Sequence, residues 1–376
     1  MTPRYEIRYD TDIPALLKRL DKLESAGDRP LAFASLDLRP DGSGSPTAPK
    51  ILREALRSTS AEQTDDERVT SALEASIEDF SDRPGLFVAG PVEEPTDEVT
   101  PTPIAPRNTI SVGRQAPRFE LERYLALTRP VVGAVWANRG SMSWVRCGGS
   151  GAPVAGSMST DPHDMRSIAG RTAQHGRGGS AETPAGGHGK TRIEESAEEA
   201  RERFAREVAA EIESNLAAAQ EVLLYGPVEF RSRLRRQLQN GVLASCLAEV
   251  ETAGGEDPDD LVELAWQRCV ELQYEGAAER LDAVTSGGLG DQGTDRIEAI
   301  VSAAEAGRLQ AVVLDEDAVG HFGTALDTRR HEPRSEPETI ERLLRLAIDG
   351  SGAELWFARS EDMAAHEAAA VGVLRW

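Results

Sequence analysis

The sequence predicts a mixed α/β (α+β) protein built as three consecutive layered domains, and three observations carry that expectation. Apolar runs of strand length alternate with amphipathic runs of helix length over most of the chain. Two stretches, 91–106 rich in proline and 148–192 rich in glycine, serine and threonine, interrupt the alternation. With 376 residues, 39% hydrophobic and 28% charged, the chain is long enough for several cores and too apolar for wholesale disorder. The expected boundaries are 1–128, 129–255 and 256–376.

In the first domain, Leu31–Leu38 and Leu86–Ala89 read as strands, and Lys50–Arg57 and Asp65–Phe80 as helices. The stretch Pro91–Pro106 holds five prolines and reads as a loop, because proline interrupts both a helix and a central strand. The second domain opens with a hairpin, Val131–Trp136 and Ser141–Arg146 about the turn Ala137-Asn138-Arg139-Gly140, where Asn and Gly tolerate turn dihedrals. Residues 148–192 follow with too few large apolar side chains to bury themselves.

Ile193 to about Gln220 is a helix with Ile193, Ala197, Ala200, Phe204, Val208, Ile212 and Leu216 on one face. Glu221–Tyr225 reads as a strand, Gly226-Pro227 as a turn, and Val228–Gln239 as a helix bearing Arg231, Arg233, Arg235 and Arg236. The third domain has helices at Leu261–Val284, Asp295–Ala306 and Pro337–Ile348, and strands at Leu309–Leu314, Ala353–Phe357 and Val371–Trp376.

Charge narrows the function classes. There are 42 Lys+Arg against 64 Asp+Glu, a formal charge of −22, and only four of the cations are lysine. An acid-rich, lysine-poor surface is what solubility in concentrated salt demands, so halophily is the expected cause. Such a charge repels RNA at long range, and any nucleic-acid contact must come from a locally basic element or work where salt screens the rest. No run of eighteen apolar residues crosses a bilayer, and the opening MTPRYEIRYD has no secretion-signal order. The expected location is the cytoplasm, with no membrane partner. Cys147, Cys246 and Cys269 match neither a metal site nor a disulfide framework, and no cofactor or metal is expected. Asp315-Glu316-Asp317, following a strand, reads as a solvated loop before it reads as a metal site.

One segment, the loop 170–192, combines glycine with positive charge. Between 171 and 192 stand Arg171, Arg177, Lys190 and Arg192 against Glu182 alone, a local charge of +3. Glycine lets backbone amides approach a phosphate or reactive carbonyl that a Cβ would block, and arginine offers a forked, charged donor to phosphates. Gly189-Lys190-Thr191 ends like a nucleotide-cradling loop, but Pro184 stands where that motif needs glycine. A basic glycine linker is the plain alternative.

The run Gln174-His175-Gly176-Arg177-Gly178-Gly179-Ser180-Ala181, before a long charged helix, resembles the loop of archaeal and eukaryotic class-one peptide release factors, His-Gly-Arg-Gly-Gly-Gln-Ser-Ala. Gly226-Pro227-Val228-Glu229-Phe230, Gly307-Arg308-Leu309 with Val312–Asp317, and the closing Val371–Trp376 are similar to the bacterial and archaeal release-factor-like (baeRF) group, which is related to those factors and to Pelota. The resemblance covers roughly 129–376.

It implies a release-factor-like architecture that mimics transfer RNA: one domain toward the decoding centre, the glycine loop in the peptidyl-transferase centre, and a third domain resembling kink-turn-binding ribosomal proteins. The implied partners are the ribosome, through its RNA and peptidyl-tRNA, and a translational GTPase. By matching motif, Gly178 and Gly179 would be the loop glycines, with His175 and Arg177 beside ribosomal RNA; Ser180 completes the candidate catalytic loop, Arg171, Lys190 and Arg192 are RNA candidates from the local charge, and the helix bearing Arg231, Arg233, Arg235 and Arg236 is a second RNA candidate.

The implied chemistry is water attacking the peptidyl-tRNA ester, which needs a positioned water and oxyanion donors. Ser180 follows Gly179 where the family carries glutamine, so enzyme and non-enzyme both stay open. No Asn-Ile-Lys-Ser segment reads a stop codon, so the implied role is ribosome rescue, recycling or hibernation rather than termination. The alternatives are a ribosome-occupying factor without catalysis and an interaction scaffold.

Overall fold

The structure, a computed structural model, describes residues 13–25, 30–39, 66–80, 84–113, 118–159 except 139, 150 and 152, 188–249 except 240 and 242, 258–286, 292–322 except 320, 330–331, and 335–375 except 367. Their architecture is mixed α+β, as the alternation of short and long apolar runs predicts. Among the described residues one compact unit comprises 131–148 and 153–268, and a second comprises those within 8–130, 149–152 and 269–376.

The second unit begins with α1 (Ile13–Ser25), β1 (Leu31–Asp37), α2 (Asp66–Asp79), β2 (Gly85–Pro91), β3 (Glu98–Thr102), β4 (Thr109–Gly113) and α3 (Phe119–Leu127). The strands form an antiparallel sheet in the order β3-β2-β1-β4. Every residue of β1 is buried, because helices cover both faces. Ala32, Ala34 and Leu36 pack with Leu73 and Ile77 of α2 on one side. Phe33, with Phe87 of β2, packs against Ile13, Leu16 and Leu20 of α1 and Leu121 and Tyr124 of α3 on the other. The helix expected at 50–57 lies outside the described residues. The loop expected at 91–106 is corrected: β3 lies inside it as an edge strand and carries Pro101 opposite Leu86. An edge strand pairs on one side only, so alternate positions need no N–H and proline is tolerated.

The central unit is built on a five-stranded sheet with β5 (Val132–Ala137), β6 (Ser141–Cys147), β7 (Val154–Ser159), β8 (Glu221–Tyr225) and β9 (Leu247–Glu249), in the order β7-β6-β5-β8-β9. β8 runs parallel to β5 and to β9; the other pairs are antiparallel. The glycine-rich segment is therefore not loop throughout, since β7 extends the sheet at its edge, with Gly156 lying against the Trp144 indole. Two helices, α4 (His188–Leu216) and α5 (Val228–Leu238), cover this sheet. Their core joins Phe204, Val208, Ile212 and Leu216 of α4 to Phe230, Leu234 and Leu238 of α5 and to Val135, Val222 and Leu224. These α4 positions continue the predicted apolar face, period for period.

Helix α6 (Pro258–Thr285) supplies residues to both units. Within the central unit its Arg268 holds Glu221 at the start of β8 through two bonds of 2.9 Å. The second unit then adds β10 (Gly293–Thr294), α7 (Ile297–Glu305), β11 (Leu309–Asp315), the short pair β12 (His321–Phe322) and β13 (Arg330–His331), α8 (Pro337–Arg345), β14 (Glu354–Ala358) and β15 (Ala370–Leu374). Its sheet runs β10-β15-β11-β14, with β11 and β14 parallel and β15 antiparallel to β11. The helix expected at 337–348 widens after Arg345 into a turn through Ser351, which Gly352 ends at φ +57°.

Candidate functional site

The central sheet places its strand ends according to how the chain must connect them. β5 and β8 are parallel, so both end on the same side; the chain leaves β5 through the hairpin toward β6 and leaves β8 toward α5 and β9. The two connections therefore depart in opposite directions from neighbouring strand ends. Gly226 turns there at φ +112°, and a Cβ on it would lie 2.1 Å from the Ala137 carbonyl oxygen. Pro227 then begins α5. The hairpin tip is fixed by Asn138, whose Oδ1 accepts the N–H groups of Gly140 (2.9 Å) and Ser141 (2.8 Å). Ser159, the last residue of β7, pairs with Ser141 at this same end.

The segment leaving Ser159 and rejoining the described chain at His188 is the one that carries the glycine motif. Arg171, His175, Arg177, Gly178, Gly179 and Ser180 all lie outside the described residues. Lys190 and Arg192 fall in the opening turns of α4. The register of β7 thus starts the segment at the same end of the sheet as the Gly226 turn, with two strands between β7 and β8, and the segment rejoins the described chain at α4.

The four arginines of α5 part company. Arg231 is buried. Arg233 turns to α4, pairing with Glu198 and approaching Glu202 at 3.7 Å, while Gln237 donates to Glu202 at 2.5 Å. The hydrogen bond from Arg233 holds Glu198 below the usual carboxylate range, and Glu198 raises Arg233 in return. Arg235 and Arg236 are exposed. The spacing of 2, 2 and 1 makes this division: on a helix those positions wrap over more than one face.

A polar network in the second unit was not legible in the sequence. Arg107 donates to Asp317 Oδ1 at 2.6 Å and pairs with Glu316 at 2.9 Å. Tyr274 donates its hydroxyl to the same Glu316 at 2.6 Å, and burial pushes the Tyr274 phenol up to about 12. Ser360 donates to Asp315 (2.6 Å) or to Asp317 (2.5 Å). The Asp315-Glu316-Asp317 run is therefore not a solvated loop; its carboxylates are engaged by Arg107, Tyr274 and Ser360. No group of three metal-ligating side chains exists among the described residues. Arg107 and Glu316 are 209 positions apart, and no local pattern announces such a pair. Nor, among the described residues, is any helix long and apolar enough to cross a membrane.

Residues 145–288 match the family model described as Bacterial archaeo-eukaryotic release factor family 2. That span runs from β6 through α6 and includes the glycine motif and the arginines of α5, so the central part of the chain is similar to that release-factor family. Among curated proteins none matches. Solved structures similar to the chain include the archaeal translation termination factor aRF1 (16% identity, 97% of each chain, TM-score 0.26). Another is Dom34 of S. cerevisiae, a translation termination-like factor interacting with Hbs1 (10% identity, 77% of this chain and 73% of that one, TM-score 0.40). A third is archaeal Pelota, in a ribosome-bound model with ABCE1 (13% identity, 96% and 94%, TM-score 0.38).

Proposed function

We propose that this protein is a ribosome-associated, tRNA-mimicking factor that acts in the cytoplasm in rescue, recycling or dormancy, with the segment around Gly178, Gly179 and Ser180 directed to the peptidyl-transferase centre. The observation that carries this reading is the family match over 145–288, which falls on the only stretch where glycine and basic residues coincide in a chain of charge −22. Arg171, His175, Arg177, Lys190 and Arg192 contact ribosomal RNA in this reading, joined by Arg235 and Arg236 from α5. A translational GTPase is a further partner of the protein in this reading.

Two versions follow. In the enzymatic one the loop amides hold the developing oxyanion while water attacks the peptidyl-tRNA ester. In the other the protein occupies idle ribosomes without chemistry, and Ser180 standing where the family has glutamine favours it.

Cosedimentation with ribosomes over a salt titration tests the association. Reversal of Arg171 and Arg177 to glutamate is expected to weaken it and flatten its dependence on log salt, because fewer counterions are released. An unchanged slope with full affinity removes the loop from the interface, and no cosedimentation at any salt leaves an interaction scaffold. Release of labelled peptide from stalled complexes then separates enzyme from occupant. A Gly179→Ala variant that releases peptide at the wild-type rate excludes the loop from catalysis.

A further inference from the structure

The outer surface of the second unit carries a groove between α7 and α8. It encloses about 520 Å³, within the range that bound ligands fill. Beneath it the two helices meet through Ile300 and Ala304 of α7 and Ile340, Leu343 and Leu344 of α8, all buried in one apolar cluster. Ile297 and Val301, four positions apart and so on one stripe of α7, pack onto that cluster only in part and form the floor of the groove. Floor and helix pair are thus continuous.

The edges are polar and acidic. Glu298 and Glu305 border the floor from α7 and Glu336 from the start of α8, all three exposed. Arg342, the cation of the lining, is already paired with Glu305. Three carboxylates against one guanidinium leave the rim at −2, with Glu298 and Glu336 as the charges it offers to an incoming group. Between them Ser302, Ser335 and Thr339 add hydroxyl oxygens, which accept from a cationic donor as a carboxylate does.

This lining selects its occupant by charge and shape. Aliphatic floor and anionic rim match a ligand with an apolar centre flanked by cations, because a lysine or arginine lays its stem along apolar surface and carries its head to the edge. Nucleic acid is refused, since its phosphates would meet Glu298 and Glu336. A second copy of the chain brings a charge of −22 to the same rim. The α7 lining runs from 297 to 305, roughly 12 Å at 1.5 Å per residue, which is about two turns of a helix laid alongside.

We propose that the α7/α8 groove is the docking site for a basic amphipathic helix of a partner protein. Its aliphatic stripe lies on Ile297 and Val301, and its lysines or arginines meet Glu298 and Glu336. A helix in a groove takes affinity from the apolar face and register from the charges beside it. The proposal does not rest on the ribosome reading, and it gives this face of the molecule to protein rather than RNA.

The probe is a labelled peptide of about eighteen residues with leucines at i, i+3, i+4 and i+7 and lysines on both sides of that stripe. Fluorescence anisotropy against the full chain at fixed salt is expected to show saturable binding, and hydrogen exchange of the complex to slow at amides 297–305 and 335–342. Glu298→Gln with Glu336→Gln is expected to weaken binding roughly fivefold. Glu279→Gln with Glu361→Gln, exposed acids elsewhere in the unit, changes the net charge equally and is expected to alter binding less than about twofold. A peptide with serine in place of leucine, which leaves the protein intact, is expected to bind at least about tenfold more weakly.

Equal losses in the two double variants would assign the binding to net charge, and equal binding by the serine peptide would leave the floor without a role; either overturns the proposal. So does a wild-type chain that fails to bind the leucine peptide. Protection of 297–305 by an RNA oligonucleotide, or by raising the chain's own concentration without peptide, would give the groove to RNA or to a second copy instead. None of these readouts involves the ribosome, so they stand or fall apart from the proposed function.

Discussion

Two glycines of the central sheet carry different local constraints, and the difference can be measured. At Gly226 a Cβ would lie 2.1 Å from the Ala137 carbonyl, which is backbone and cannot swing aside, and φ is +112°. At Gly133 the obstacle is a Leu216 methyl at 2.7 Å, the free end of a side chain. Gly226→Ala is expected to cost roughly 3 kcal/mol, from strain and overpacking together. Gly133→Ala is expected to cost roughly 1 kcal/mol, since Leu216 can rotate. Urea unfolding midpoints compare the two, and equal losses would mean that the Gly226 turn relaxes in a way its geometry denies. The sequence showed Gly226-Pro227 as a turn but not the contact with Ala137, 89 positions away in the chain, because register across a sheet is set by partners and not by neighbours. The same limit hid Arg107 with Glu316.

At the scale of elements, the pairing of α4 with α5 rests on its apolar face and not on its surface ions. Phe204 is 2% exposed and packs 5.7 Å from the Phe230 ring, so Phe204→Ala is expected to cost about 3–5 kcal/mol in thermal or urea unfolding. Arg233→Ala breaks contacts to Glu198, which is 50% exposed, and is expected to cost under about 1 kcal/mol. If Arg233→Ala matched Phe204→Ala, the helix pair would be held by charge. Helix α4 was legible because four of its predicted face residues, Phe204, Val208, Ile212 and Leu216, do meet the core. Helix α3 was not: Glu120 and Arg123 are 3% and 4% exposed and neutralise each other, so charges interrupt the stripe that periodicity looks for. β3 and β7 escaped notice for a related reason, being edge strands that admit proline, glycine and serine. Of the candidate site, composition showed the basic glycine segment and the arginine helix; it could not show that Arg233 belongs to α4 and Arg231 to the interior.

For the molecule as a whole, the sequence boundary at 128 cuts through a shared core. Phe119 and Ala126 belong to the same apolar cluster as Ile300, Leu343 and Phe357. Arg107 is bonded to Glu316 and Asp317, and the N-terminus of α3 depends on Glu341. A fragment of residues 1–128 would expose Phe119 and Ala126 and leave the Arg107 guanidinium and the α3 N-terminus without those carboxylates. Burial of apolar area is what sustains a small domain, and an unpartnered buried charge costs more than its pair contributes. The fragment is therefore expected to show no cooperative thermal transition alone and to gain one when mixed with residues 258–376, which supply α7, α8 and the sheet β10-β15-β11-β14. Circular dichroism melts of each fragment and of the mixture decide it. Cooperative unfolding of 1–128 alone, unaltered by its partner fragment, would show that the three-layer packing around β1 suffices and that α3 merely touches the C-terminal cluster. A transition present only in the mixture would show that the two ends of the chain fold as one body.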